Sequence, residues 1–323
     1  MHLLPPSRQL LRTSTALAKA SIRPRVVYRP APPSPLSILP LQRLRRQHAA
    51  SAANMTSRVA ERLKGKTIVI TGASSGIGKA TALEFARTQP DDLKLILTAR
   101  REDALKEVAR EIEGFAKGVK VLSVKLDVSK VEEIEGFVGV AGGVSGWMCL
   151  LITRLVKGVA QAPDISPADI STMFTTNVTG LIAMTQAILP IFKSRATPSG
   201  DIINIGSIAG REPYQGGSIY CATKAAVRSF TDALRKELIA TRIRVIEIDP
   251  GQVETEFSVV RFGGDKEKAK KVYEGVEALT GEDIAEVVVF AAGRRENVVL
   301  ADTLVFPNHQ AAATVMHRKT AGQ

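Results

Sequence analysis

Thr67-Ile68-Val69-Ile70-Thr71-Gly72-Ala73-Ser74-Ser75-Gly76-Ile77-Gly78 begins with five β-branched residues and ends in a glycine-rich turn. A short, unbroken β-branched run reads as a strand buried on both faces. A helix is expected from about Gly78 to Thr88. Glycines at such a strand-to-helix turn let the backbone approach a pyrophosphate, which then rests on the free N–H groups and positive dipole end of the helix. Gly72, Ser74, Ser75, Gly76, Ile77 and Gly78 are the candidate contacts. The spacing is G-x-x-x-G-x-G, and by itself it also fits a plain tight βα turn. The strand before it and the helix after it favour a dinucleotide.

Working outward, short apolar runs alternate with helical periods. Strands are expected at Leu93–Thr98, Val119–Leu126, Asp201–Ile205, Arg242–Ile248 and Val298–Phe306. Helices are expected near Glu102–Glu113, Pro167–Lys193 and Ser218–Thr241. Strands separated by helices imply right-handed βαβ units, hence an α/β class with a doubly wound parallel sheet and helices on both faces. No repeat of 20–50 residues is visible, so one domain is expected across 55–323.

The second strand ends in Thr98-Ala99-Arg100-Arg101. An acidic residue there would take the ribose hydroxyls and select NAD. Two guanidiniums instead suit a 2′-phosphate, which points to NADP, although a solvated helix start would read the same way. Asp127 follows the third strand and is placed to meet the adenine amine, or equally to act as a turn residue in Asp127-Val128-Ser129.

At the other end of the sheet order, Ser207 closes a strand and Tyr220-Cys221-Ala222-Thr223-Lys224 opens a helix. Positions four apart share a helix face, so Tyr220 and Lys224 lie one turn from each other. Phenols titrate near 10, and a neighbouring ammonium favours the phenolate that would take an alcohol proton as hydride leaves. Ser207 would hydrogen-bond the substrate oxygen, with Ser207 and Tyr220 the nearest candidates for substrate contact.

These motifs together resemble the short-chain dehydrogenase/reductase family across about 60–310. The resemblance assigns catalytic roles to Ser207, Tyr220 and Lys224. It adds Asn177 in Asn177-Val178-Thr179-Gly180, which would hold a proton-relay water through a helix kink and lie against the cofactor. It also implies cofactor contacts from Pro250, Gly251, Val253 and Thr255, and from Tyr220 and Lys224 themselves. Gly206–Arg211, Gly217–Ala222 and the tail Ala301–Pro307 are similar to the branch of NADP-dependent serine and 3-hydroxy acid dehydrogenases, which implies a homotetramer acting on short 3-hydroxy acids. Arg211 would meet a substrate carboxylate or serve as a surface cation. No metal is expected.

One family element is missing. The fourth strand should read roughly Asp-Val-Leu-Val-Asn-Asn-Ala-Gly, but the interval holds Gly146-Trp147-Met148-Cys149-Leu150-Leu151-Ile152-Thr153-Arg154. Trp147–Arg154 can be encoded by the codons TGG ATG TGY TTR TTR ATH ACN MGN. Read two bases later they give GAT GTG YTT RTT RAT HAC NMG, which permits Asp-Val-Leu-Val-Asn-Asn-Ala. Residues 140–154 are therefore expected to be a frameshifted or mis-spliced stretch of the translated gene. Taken as written, the strand is apolar enough to form but lacks its polar cofactor lining.

The chain has 323 residues and a formal charge of +12. A basic balance first suggests nucleic acid or an anionic membrane. Its location argues otherwise. Residues 1–54 carry eight Arg, one Lys, no acid and eight of the sixteen prolines, so taking nine from twelve leaves +3 for the remainder. That leader is read as disordered. It is either a mitochondrial targeting segment or an upstream extension of the open reading frame, with translation from Met55 giving a cytoplasmic enzyme. No aromatic-interleaved basic patch marks a nucleic-acid arm. No run of 18 apolar residues is present, so no membrane span is expected. Two cysteines cannot build a disulfide framework. The expected activity is NADP-dependent hydride exchange between a serine-like 3-hydroxy acid and its 3-oxo acid. A ketone or general carbonyl reductase is the alternative within the class, and a non-catalytic dinucleotide-binding protein the alternative outside it.

Overall fold

The structure, a computed structural model, describes residues 58–141, 147–151 and 160–319. The leader, and the parts of the suspect stretch at 142–146 and 152–154, lie outside the described residues. A short helical segment, α1, covers 58–63. The strands are β1 (Thr67–Thr71), β2 (Leu93–Ala99), β3 (Val119–Lys125), β4 (Trp147–Leu151), β5 (Ser199–Ile205), β6 (Arg242–Pro250) and β7 (Asp302–Val305). The helices between them are α2 (Gly76–Thr88), α3 (Glu102–Phe115), α4 (Val131–Ala141), α5 (Pro167–Phe174), α6 (Gly180–Lys193), α7 (Ser218–Glu237), α8 (Glu256–Arg261), α9 (Lys266–Lys271) and α10 (Gly281–Ala292).

The strands form one parallel sheet in the order β3-β2-β1-β4-β5-β6-β7. Chain order reverses between β1 and β4, and ligands of open α/β sheets bind in the crevice beyond the strand ends at that reversal. β4 does form, with Val69 in register with Cys149 on one side and Leu150 with Ile203 on the other. Five apolar residues are enough to hold a central strand between two buried neighbours.

Alternation along the strands builds two cores. Ile68 and Ile70 of β1 face Phe85 of α2, Val108 of α3 and Ile284 of α10. Val69 faces the opposite layer, where Phe137 of α4, Met184 and Phe192 of α6, and Val227 of α7 pack. Burying each such side chain contributes about 1.5–3 kcal/mol. Pro167–Lys193 is long and apolar enough to cross a membrane, with mean hydropathy 1.2. Leu181, Met184, Ile188 and Phe192 instead bury its inner face against the sheet.

The expected strands and helices are present, with ends shifted by a few residues. The sequence reading passed over α4 and α8–α10. The last strand is shorter than expected, Asp302–Val305 rather than from Val298.

Candidate active site

Beyond the strand ends at the β1/β4 reversal lies a cavity of about 370 Å³. Its floor is the turn from Thr71 to Gly78, and Gly72, Ser74, Ser75, Gly76, Ile77 and Gly78 all line it. Gly72 has φ 67° and Gly76 φ 52°, the left-handed conformations that glycine adopts at little cost. At Gly78 the requirement is space, because a Cβ there would overlap the Gly72 carbonyl. The helix start is thereby drawn tight against the turn, with its N–H groups facing the cavity.

Arg100, Arg101 and Asp127 line the same cavity. Both arginines are exposed at its rim. Arg101 forms a 2.9 Å ion pair with Glu256 and lies 3.4 Å from Ser74 Oγ. Asp127 Oδ1 accepts from Ser129 N at 3.0 Å and Ser129 Oγ at 2.7 Å, so it serves the local turn while it borders the cleft. Thr255 caps α8 by accepting from Phe257 N, and its side chain lies 3.4 Å from the place a Cβ at Gly76 would take. The chain after β6 therefore closes over the glycine-turn end of the cavity.

Pro250 ends β6, and Gly251 packs against Phe306 and Gln310. Val253 is buried, and its carbonyl accepts from the Tyr273 hydroxyl at 3.1 Å. These three, expected as cofactor contacts, are not among the residues lining the cavity.

The residues expected to react come from three elements. Between α5 and α6 the helix widens into a π-helical turn, Thr175–Thr179, with Asn177 fully buried at its centre. Such a bulge re-aims a side chain without ending the helix. Asn177 Nδ2 donates to Thr223 Oγ1 at 3.1 Å, and Thr223 donates to the Tyr220 carbonyl at 2.8 Å, which fastens the kink to the start of α7. Lys224 is fully buried and donates to the Ile205 carbonyl at 2.8 Å. Ser207 Oγ accepts from Ala209 N at 3.2 Å and caps the 3-10 turn Ile208–Gly210. Tyr220 is buried against Phe257, with ring centroids 5.5 Å apart, and its hydroxyl has no hydrogen-bond partner among the described residues. A buried hydroxyl left unpaired costs about 1–3 kcal/mol, a penalty that a bound alcohol or carbonyl oxygen would remove.

Arg211 corrects one expectation. Its Nε and Nη2 both lie 2.8 Å from Asp249 Oδ2, and it also pairs with Asp302. The guanidinium is committed to the buried Asp249 and the exposed Asp302, not presented to a substrate. The sequence reading also missed Thr176, Glu256, Phe257 and Val260, which line the cavity. Their signal was their position just past Val253-Glu254-Thr255, or beside Asn177.

A parallel sheet with a glycine turn at its reversal point and a Ser–Tyr–Lys set beyond its strand ends defines a dinucleotide-dependent oxidoreductase. The family profile described as short chain dehydrogenase matches residues 66–264, and the chain belongs to that family. It is 56% identical over 262 residues to an NADP-dependent 3-hydroxy acid dehydrogenase of Schizosaccharomyces pombe, covering 80% of this chain and 99% of that protein. It is 36% identical over 246 residues to sulfoacetaldehyde reductase 2 of Chromohalobacter salexigens, covering 76% and 95%. The closed form of a serine dehydrogenase complexed with NADP+ superposes with a TM-score of 0.70 at 37% identity, covering 78% of this chain and all of that one.

Proposed function

We propose that the protein is an NADP-dependent dehydrogenase interconverting a short, serine-like 3-hydroxy acid and its 3-oxo acid. The observation that carries the reaction type is the buried Tyr220 hydroxyl, without a partner among the described residues, one helical turn from the buried Lys224 and packed on Phe257, which lines the cavity. The glycine turn and Thr255 would hold the pyrophosphate, and Arg100 with Arg101 the 2′-phosphate. When bound, the nicotinamide supplies a hydride acceptor or donor. Tyr220 takes or returns the hydroxyl proton, and Lys224 places a positive charge beside it. Ser207 fixes the substrate oxygen, and Asn177 orients the route by which the proton reaches solvent. The substrate class is supported by the 56% identical relative and the serine dehydrogenase structure.

A second reading, a reductase of other small carbonyl compounds, is favoured by the sulfoacetaldehyde reductase similarity. A panel of 3-hydroxy acids, neutral alcohols, 3-oxo acids and aldehydes, run with NADP and NAD, separates the two. Turnover confined to neutral ketones or sulfonated aldehydes overturns the 3-hydroxy acid assignment. Cofactor binding without any turnover would support the non-catalytic alternative. We also propose a homotetramer, the assembly implied by the resemblance to the serine and 3-hydroxy acid dehydrogenase branch, with the exposed Phe174 of α5 as a candidate contact. Light scattering of the purified protein tests it, and a monomer overturns it. Residues 1–54 are read as either a mitochondrial leader or untranslated sequence ahead of Met55. The N-terminus of the protein isolated from its source decides between them.

A further inference from the structure

Two carboxyl side chains are buried directly beneath the catalytic serine. Glu247 and Asp249 sit two apart on β6, so both face the α7 side of the sheet, and their relative exposures are 2% and 1%. Asp249 Oδ1 accepts the backbone N–H of Ser207 at 2.8 Å, and Oδ2 accepts Nε and Nη2 of Arg211. With an amide and a guanidinium donating to it, Asp249 is the ionised member. Glu247 Oε1 and Asp249 Oδ1 converge on the same small space beside Gly206, and Glu247 Oε1 has no other hydrogen-bond partner among the described residues. Two carboxylates in contact within a buried site cannot both be charged, so their approach requires a proton. Gly206, between β5 and Ser207, leaves the space, since a Cβ there would overlap Asp249 and crowd Glu247.

We propose that Glu247 is a positioning residue for the reaction: it shares a proton with Asp249, and that shared proton holds the Gly206–Ser207 turn in place against β6. The inference rests on the dehydrogenase reading only for its kinetic arm. The remaining groups around the pair are on the neighbouring elements. Lys224 faces it from α7, and Arg211 from the chain after β5. Asp302 lies in register with Glu247 on β7. Asn204 lies in register on β5, and Arg235 of α7 bonds the Ala301 carbonyl that also receives the Glu247 N–H. Burial and then the Asp249 charge push the Glu247 carboxyl up to about 8, while Lys224 and Arg211 pull it down. As Glu247 ionises it repels Asp249, loosening the Ser207 anchor. Its new charge also competes with Tyr220 for the Lys224 ammonium.

The test compares wild type with Glu247→Gln, which keeps the shape and a donor for Asp249 but cannot ionise. In wild type, kcat/KM for alcohol oxidation is expected to bend downward near pH 8, reaching several-fold below the Gln variant by pH 9.5, and the variant is expected to lack that bend. A second readout does not depend on turnover. A carboxyl raised in the folded state contributes stability that is full below its unfolded value near 4.5 and is lost as pH rises through about 8. Thermal unfolding should therefore move in favour of Glu247→Gln between pH 6 and pH 9. If the variant does not fold, infrared spectra of wild type remain: a protonated-carboxyl C=O band at pH 6.5 should vanish by pH 9.5. A melting difference independent of pH, or a wild type with no such band, overturns the shared proton. An intact pH bend in Glu247→Gln overturns its role in the reaction. Loss of all turnover on every substrate alongside the melting shift would sink the dehydrogenase reading and leave the proton pair standing.

Discussion

Arg101 and Glu256 are joined by a 2.9 Å ion pair that reaches from the end of β2 to the head of α8 across the rim of the cofactor cavity. The two sides are thereby linked by the same guanidinium that the proposed cofactor would need for its 2′-phosphate. An exposed pair of this kind contributes about 0–1 kcal/mol, so phosphate competes with Glu256 on easy terms.

From this follows a cofactor-selective effect. Glu256→Gln should lower KM for NADPH by up to about five-fold and leave NADH untouched, since only the former has the competing phosphate. Arg101→Ala should raise KM for NADPH by about ten-fold or more, as expected for loss of a charge-assisted contact, again sparing NADH. Steady-state kinetics with both cofactors check it. Equal changes for NADPH and NADH would remove Arg101 from the phosphate site.

Tyr220→Phe keeps the ring contact with Phe257 and removes only the hydroxyl. It should reduce kcat by roughly 10²–10⁴, the range of general acid–base catalysis, while NADPH affinity by fluorescence titration changes little. A variant retaining more than a tenth of wild-type kcat would show that another group moves the proton.

Two glycine substitutions separate packing from propensity. At Gly78 the added Cβ meets backbone, not a flexible side chain, so Gly78→Ala must displace the turn. It should cost about 1–3 kcal/mol in stability and weaken NADPH binding. Gly136 is exposed within α4, with nothing within 4 Å of an added Cβ. There the same change should raise stability by up to about 1 kcal/mol, because alanine restricts the unfolded chain and favours helix. Denaturant titration of both variants checks the contrast.

The cofactor end was more legible than the reacting end because its chemistry is local. Thr67–Gly78 carries strand, turn and helix start in one run, and each local preference agrees with the fold. Ser207, Tyr220 and Lys224 were also readable, since a strand end and one helix turn fix their relation. The fate of Arg211 was not, because Asp249 and Asp302 reach it only through the β5-β6-β7 pairing. The same non-local register hides the Glu247–Asp249 pair, which in sequence is only an alternating strand with two acids. Of the two readings of Asp127 the turn role is the one seen, in its bonds to Ser129, and the residue also lines the cavity. The short helices α8 and α9 were missed because six residues make too little periodic signal.

The most consequential prediction concerns β4. Its backbone occupies the centre of the sheet, and its Leu151 end lies beside the Thr71 end of β1, at the edge where the cofactor cavity opens. In a parallel sheet, residues just past that edge face the ligand. The shifted frame keeps an apolar strand of the same length and puts Asn-Asn-Ala at that edge, whereas the chain as written continues Ile152-Thr153-Arg154. Sequencing the transcript should show a reading frame restored across 140–154. Protein made from that frame should turn over the 3-hydroxy acid panel at least ten-fold faster than the chain as written, because it restores the paired amide side chains that the family resemblance implies at the end of the fourth strand. A transcript that encodes Trp147-Met148-Cys149 in frame, in an enzyme with full activity, would show that the cofactor edge tolerates an apolar fourth strand.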